Sequence, residues 1–97
     1  MDAAPASCAA NYICIYEHSG FGGAQYSVTG AAPSVGSMND KASSLGNSKA
    51  SNRARYFQHD SYVGWYVCVS AGNSASSLFS DRNDEISSMA IQIAMYC

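Results

Sequence analysis

Apolar and polar positions along this chain alternate in short bursts. Tyr12-Ile13-Cys14-Ile15-Tyr16 is one such burst and Gln25-Tyr26-Ser27-Val28-Thr29 another. Arg53 to Gln58, Trp65 to Ser70 and Met89 to Met95 follow. Each is rich in β-branched or aromatic side chains and is bounded by Gly, Ser, Asn or Pro, which is the signature of half-buried strands joined by turns. Runs of good helix formers are scarce. The pattern predicts an all-β chain, with the Ser-rich stretch Ser70 to Ser77 as a loop between strands.

The bursts are not independent of one another. From Tyr16 to Gly23 the chain reads Tyr-Glu-His-Ser-Gly-Phe-Gly-Gly, and from Phe57 to Gly64 it reads Phe-Gln-His-Asp-Ser-Tyr-Val-Gly. Both are aromatic-x4-aromatic-x-Gly with His in third place, His18 and His59. Later, Asn39-Asp40-Lys41-Ala42-Ser43-Ser44 meets its twin Asn83-Asp84-Glu85-Ile86-Ser87-Ser88. Two unrelated patterns recurring in the same order at nearly the same spacing imply duplication of one unit of about forty residues and about four strands.

The first pattern suits a folded-over hairpin whose second aromatic covers the corner, with Gly23 and Gly64 where φ is positive or a side chain would collide. Tyr16, Phe21, Phe57 and Tyr62 are read as fold-maintaining, Trp65 as packing or edge cover, and the two histidines as hairpin side chains, since no ligand-spaced partner repeats beside them. The second pattern gathers amides, carboxylates and hydroxyls in six residues. One copy alone would be as well explained as a turn. Two copies, each behind its own aromatic hairpin, favour hard-oxygen ligation of calcium, which takes six to eight such donors.

Composition narrows the partners. Ninety-seven residues make a single domain, 1–97, with a modest core. Five Lys and Arg at a net charge of −2 leave no basic stripe for a phosphate backbone. No apolar run reaches the length of a bilayer span, so membrane insertion is not expected. The opening Met1 to Ser7 has no signal-peptide apolar region and reads as a mature N-terminus behind an initiating or added Met. Cys8, Cys14, Cys68 and Cys97 are even in number and poorly spaced for zinc, which points to two disulfides and an extracellular setting. Of the three pairings, Cys8 with Cys14 and Cys68 with Cys97 is favoured. No nucleophile-elbow, zinc-protease or phosphate-loop pattern is present, so the chain reads as a non-enzyme.

The aromatic corner followed by Asn/Asp-Asn/Asp-x-x-Ser/Thr-Ser, complete twice across residues 12–95, resembles the microbial βγ-crystallins. The resemblance implies a sandwich of two Greek-key motifs, about eight strands in all, the first over about 12–50 and the second over about 51–97. It also implies two Ca2+ ions in a double clamp at one end, each loop serving both. Carried onto this sequence, the ligands are the hydroxyls of Ser43 and Ser87, the carbonyls of Lys41 and Glu85, the side chains of Asp40 and Asp84 beside Asn39 and Asn83, and Glu17 and Gln58 from the hairpins. By charge count the Glu17 site is expected to be the tighter, unless Lys41 and Glu85 redistribute that advantage. Affinity of order 10⁻⁵ to 10⁻⁴ M suits extracellular calcium acting as a staple in a secreted monomer. Cys-x5-Cys followed by Ile-Tyr-Glu-His and Phe-Gly-Gly also looks like secreted actinobacterial crystallin-like proteins grouped as peptidase inhibitors, which implies a protease partner. No reactive loop is marked; Ala31 to Ser37 and Ser70 to Ser80 are the candidates. A small toxin or cell-wall-binding protein on the same fold is a third reading.

Overall fold

The computed structural model describes residues 2–78 and 85–97. Nine strands run through them: β1 (Asp2–Ala3), β2 (Ile13–His18), β3 (Gly22–Val28), β4 (Ala31–Ala32), β5 (Ser44–Asn47), β6 (Ala54–His59), β7 (Val63–Val69), β8 (Asn73–Ala75) and β9 (Ser88–Ile91). That is one more than the eight or so expected, the extra being β1, a two-residue strand at one edge. They form two antiparallel sheets, ordered β1-β8-β5-β2-β3 and β4-β9-β6-β7.

The connectivity is that of two Greek keys that exchange a strand. β4 lies in the first half of the chain but pairs with β9, Ala32 opposite Met89. β8 lies in the second half but pairs with β5, Gly46 opposite Ser74. Neither sheet can therefore form from one half alone. Three strand expectations are corrected here. The stretch Ser70 to Ser77 is not all loop, because Asn73–Ala75 is β8; part of Ala31 to Ser37 is likewise strand β4. The last strand stops at Ile91 instead of Met95. Strands of two or three residues are too short to show alternation, so only their partners reveal them.

Inward-facing side chains build the core between the sheets. Ile13, Ile15 and Leu45 from one sheet meet Ala54, Tyr56, Val69 and Met89 from the other, all fully buried. Trp65 and Val67 pack against this cluster, as the packing reading of Trp65 requires. Tyr56 adds a polar tie between the sheets, its hydroxyl donating to the Gly46 carbonyl at 2.7 Å. Burial, reinforced by the nearby Tyr16 phenol, pushes the Tyr56 hydroxyl well above its ordinary ionisation range.

The outer faces of the two halves differ. On β2, Cys14 and Tyr16 face away from the main core, yet both are buried, because the segment around Cys8 lies over them. The disulfide Cys8–Cys14 fixes that segment, and Ser7 Oγ shares a hydrogen bond with the Tyr16 hydroxyl at 3.0 Å. A second disulfide joins Cys68 to Cys97, so both favoured pairings are the observed ones. No helix among the described residues is long and apolar enough to cross a membrane.

Candidate functional site

Each aromatic hairpin is built the same way. Phe21 and Tyr62 take positive φ, 66° and 65°, so the chain folds back and lays the second ring edge-on against the first. The centroids stand 5.5 Å apart in Tyr16–Phe21 and 5.7 Å apart in Phe57–Tyr62. The repeated glycines then follow from geometry. Gly23 and Gly64 have φ of 75° and 90°, and a Cβ on them would lie 2.8 Å from Glu17 Oε1 and 2.7 Å from Gln58 Oε1 respectively.

The Asn-Asp-x-x-Ser-Ser loops dock onto these hairpins through a division of labour between the two serines. The second serine is buried and holds the hairpin. Ser44 Oγ donates to the His18 carbonyl at 2.7 Å and accepts from Phe21 N–H at 3.1 Å. Ser88 repeats both contacts, with the His59 carbonyl at 2.6 Å and Tyr62 N–H at 3.1 Å. The first serine is tied through its backbone: Ser43 N–H donates to the Tyr16 carbonyl and Ser87 N–H to that of Phe57, at 2.8 and 2.9 Å. One position before each serine pair, Ala42 and Ile86 plug into the core. The coupling of the two motifs in sequence thus has a physical cause, since each loop closes its own hairpin. Ser44 and Ser88 were given no role by the sequence reading, although their recurrence was the available signal.

The two loops also meet each other. Asp40 N–H donates to the Ile86 carbonyl at 3.1 Å, and Ser87 Oγ donates to Asp40 Oδ1 at 3.2 Å. Asp40 itself takes φ of 59°, a left-handed turn position that Asp tolerates. Two open cavities flank this junction. One, of about 280 Å³, is lined by Glu17, His18, Asp40, Lys41 and Ser43. The other, of about 380 Å³, is lined by Asn39, Asp40, Gln58, His59, Asp60, Glu85 and Ser87. Asp40 faces both.

Of the ten predicted site residues, eight line these two cavities. Asn83 and Asp84 lie outside the described residues. Asp60, which also lines the larger cavity, was not anticipated; its counterpart in the first hairpin is Ser19, so it lacked the repetition that marked the others. Glu17 Oε1 accepts from Ala24 N–H at 3.2 Å, which orients its carboxylate within the hairpin. Among the described residues no group of three or more His, Cys, Asp and Glu side chains is arranged to hold a metal ion. Beside His18 and His59, the donor side chains lining the two cavities are mixed oxygens: carboxylate, amide and hydroxyl. Such a set fits calcium rather than zinc or another transition metal.

Strand exchange, paired corners and twin loops at one end define a βγ-crystallin domain. Solved structures agree. A protein studied for the evolution of the eye-lens βγ-crystallin domain fold superposes with a TM-score of 0.77 at 26% identity, over 96% of this chain and 93% of that one. A βγ-crystallin from an archaeon gives 0.69 at 30% identity, over 84% and 98%. A βγ-crystallin domain from Flavobacterium johnsoniae gives 0.69 at 24%, over 84% and 93%, which bears on the fold alone. Within that class, the family model for peptidase inhibitor family I36 matches residues 1–69, and the chain belongs to that family. No curated protein matches it.

Proposed function

We propose that this chain is a secreted, non-enzymatic calcium-binding domain in which two Ca2+ ions staple the paired loops and stabilise the fold. The observation that carries the reading is the junction at Asp40, where both loops and two oxygen-lined cavities come together. On this reading the smaller cavity would use Glu17, Asp40, the Ser43 hydroxyl and the Lys41 carbonyl as ligands, all from residues that line it. The larger would use Asp40, Gln58, the Ser87 hydroxyl, the Glu85 carbonyl and the unanticipated Asp60, with Asn39 beside them. Asn83 and Asp84 belong to the same motif by sequence. Asp60 and Glu85 put more negative charge on the Gln58 side, while Lys41 lowers attraction on the Glu17 side. The larger cavity is therefore expected to bind more tightly, the reverse of the order read from Glu17 and Gln58 alone.

A ligand that binds only the folded chain at about 100 times its Kd stabilises it by about 2.7 kcal/mol per site. Thermal melts in EDTA and in millimolar calcium test this directly. An unchanged Tm would remove the staple. Calorimetric titration of Ser43→Ala and Ser87→Ala is expected to show weakened binding at the corresponding site; unaltered titrations in both would remove the ligand assignment.

A second reading, peptidase inhibition, is favoured by the family match. The two disulfides suit an extracellular role of either kind. Inhibition is tested by titrating the intact protein against peptidases of differing specificity, with retained activity throughout counting against it.

A further inference from the structure

Among the described residues, Asp40 alone lines both cavities. Its carboxylate has two oxygens but a single charge. Oδ1 accepts a hydrogen bond from the Ser87 hydroxyl at 3.2 Å, and Ser87 lines only the larger cavity. The other charged side chains are unevenly distributed. The larger cavity has Asp60 and Glu85 besides Asp40. The smaller has Glu17 besides Asp40, and Lys41 offsets one of those two negative charges. Without Asp40, the larger cavity keeps two carboxylates. The smaller keeps one carboxylate matched by one ammonium.

A first ion acts on a second in two opposite ways. Ordering of shared loops helps the second ion, because the entropy of ordering is lost only once. Here the protein's own backbone hydrogen bonds already hold the loops. Asp40 N–H donates to the Ile86 carbonyl at 3.1 Å, Val35 N–H to that of Ser87 at 3.1 Å, and Leu78 N–H to that of Ser43 at 3.2 Å. Little ordering is left to gain. Charge works in the other direction. A cation at the Ser87 oxygen makes the hydroxyl a stronger donor to Asp40, and its positive charge draws on the same carboxylate. The smaller cavity then loses the one charge that makes it attractive to a cation.

We propose that the two cavities are antagonistic through Asp40, so that filling the larger weakens calcium binding in the smaller and the two ions are taken up in sequence. The proposal rests on the calcium reading above and adds how that site is regulated. Asp40 is the shared ligand, and Ser87 is the positioning residue that ties it to the larger cavity. Coupling between sites is reciprocal, so disabling the larger cavity tightens the smaller. The domain therefore responds to calcium over a wider concentration range than two equal, independent sites would.

The test is calcium titration, followed by backbone amide NMR, of wild type and of the double variant Asp60→Asn with Glu85→Gln. Both residues line only the larger cavity, Gln keeps the Glu85 carbonyl, and the Asp40–Ser87 bond is untouched. The Ala24 amide, which donates to Glu17 Oε1, reports the smaller cavity. The smaller cavity of the double variant is expected to bind calcium about five-fold or more tightly than in wild type, the low end of ordinary coupling between sites. Losing two negative charges would by itself weaken binding there, so net charge cannot mimic this result. Adding Asp40→Asn, which the left-handed φ of 59° accommodates, is expected to abolish the gain. A gain that persists with Asn at this position overturns the role of Asp40. Smaller-cavity affinity equal to or below wild type in the double variant overturns the antagonism while leaving the calcium reading intact. Wild type in which neither cavity responds to calcium overturns both.

Discussion

Replacing Ser88 by Ala isolates the link between the twin motifs. The hydroxyl is fully buried and makes two hydrogen bonds, donating to the His59 carbonyl and accepting from Tyr62 N–H. Alanine fits the space but leaves both backbone groups without their partner. A buried unsatisfied group costs about 1–3 kcal/mol. His59 and Tyr62 are themselves exposed on their other sides, so water relieves part of the loss, and the low end applies to each. The sum is about 2 kcal/mol, which in a chain of this size lowers Tm by roughly 8–16 °C. Ser87→Ala, one residue earlier, loses a single bond to the exposed Asp40 and should cost about 0.5 kcal/mol. Urea and thermal unfolding in EDTA, where calcium cannot contribute, separate the two. If Ser88→Ala and Ser87→Ala were equally stable within about 0.5 kcal/mol, the division of labour between the paired serines would be wrong.

Gly64→Ala and Gly23→Ala should each destabilise by about 1–2 kcal/mol from the left-handed backbone alone, and should displace Gln58 or Glu17 as well, read as lower urea midpoints and weaker calcium titration. Tyr56 links stability to alkaline pH. Burial raises its folded ionisation above the ordinary 10.0, so the native state keeps a proton that the unfolded state releases. Stability is therefore full below about pH 10 and falls as pH rises beyond it, and Tyr56→Phe should flatten that fall while costing about 1 kcal/mol at neutral pH. The disulfides differ in loop length, with sequence separations of 6 and 29. Removing Cys68–Cys97 by paired Ala substitution should cost about 1.4 kcal/mol more than removing Cys8–Cys14 by the chain-entropy estimate, measured by chemical denaturation.

Local chemistry is what the sequence carried on its own. Positive-φ glycines, an Asn-Asp-x-x-Ser-Ser turn and rings placed five positions apart are constraints within a few residues, and they recur visibly because the unit was duplicated. The pairing of Cys8 with Cys14 was legible for the same reason of nearness. The exchange of β4 and β8 between the sheets was not, because a two- or three-residue strand has no period to read and its partner lies far along the chain. The same holds for the cavity contribution of Asp60, which has no twin, and for the roles of Ser44 and Ser88, whose partners lie more than twenty residues away. Ile93 is the clearest case. Its alternating neighbours read as a continuous strand, and only the competition between Gln92 and Ala94 for Arg53 turns it out of the sheet. Tertiary structure decided these points because hydrogen-bond partners at long separation are chosen by which backbone groups end up adjacent, and side-chain pattern does not record that choice.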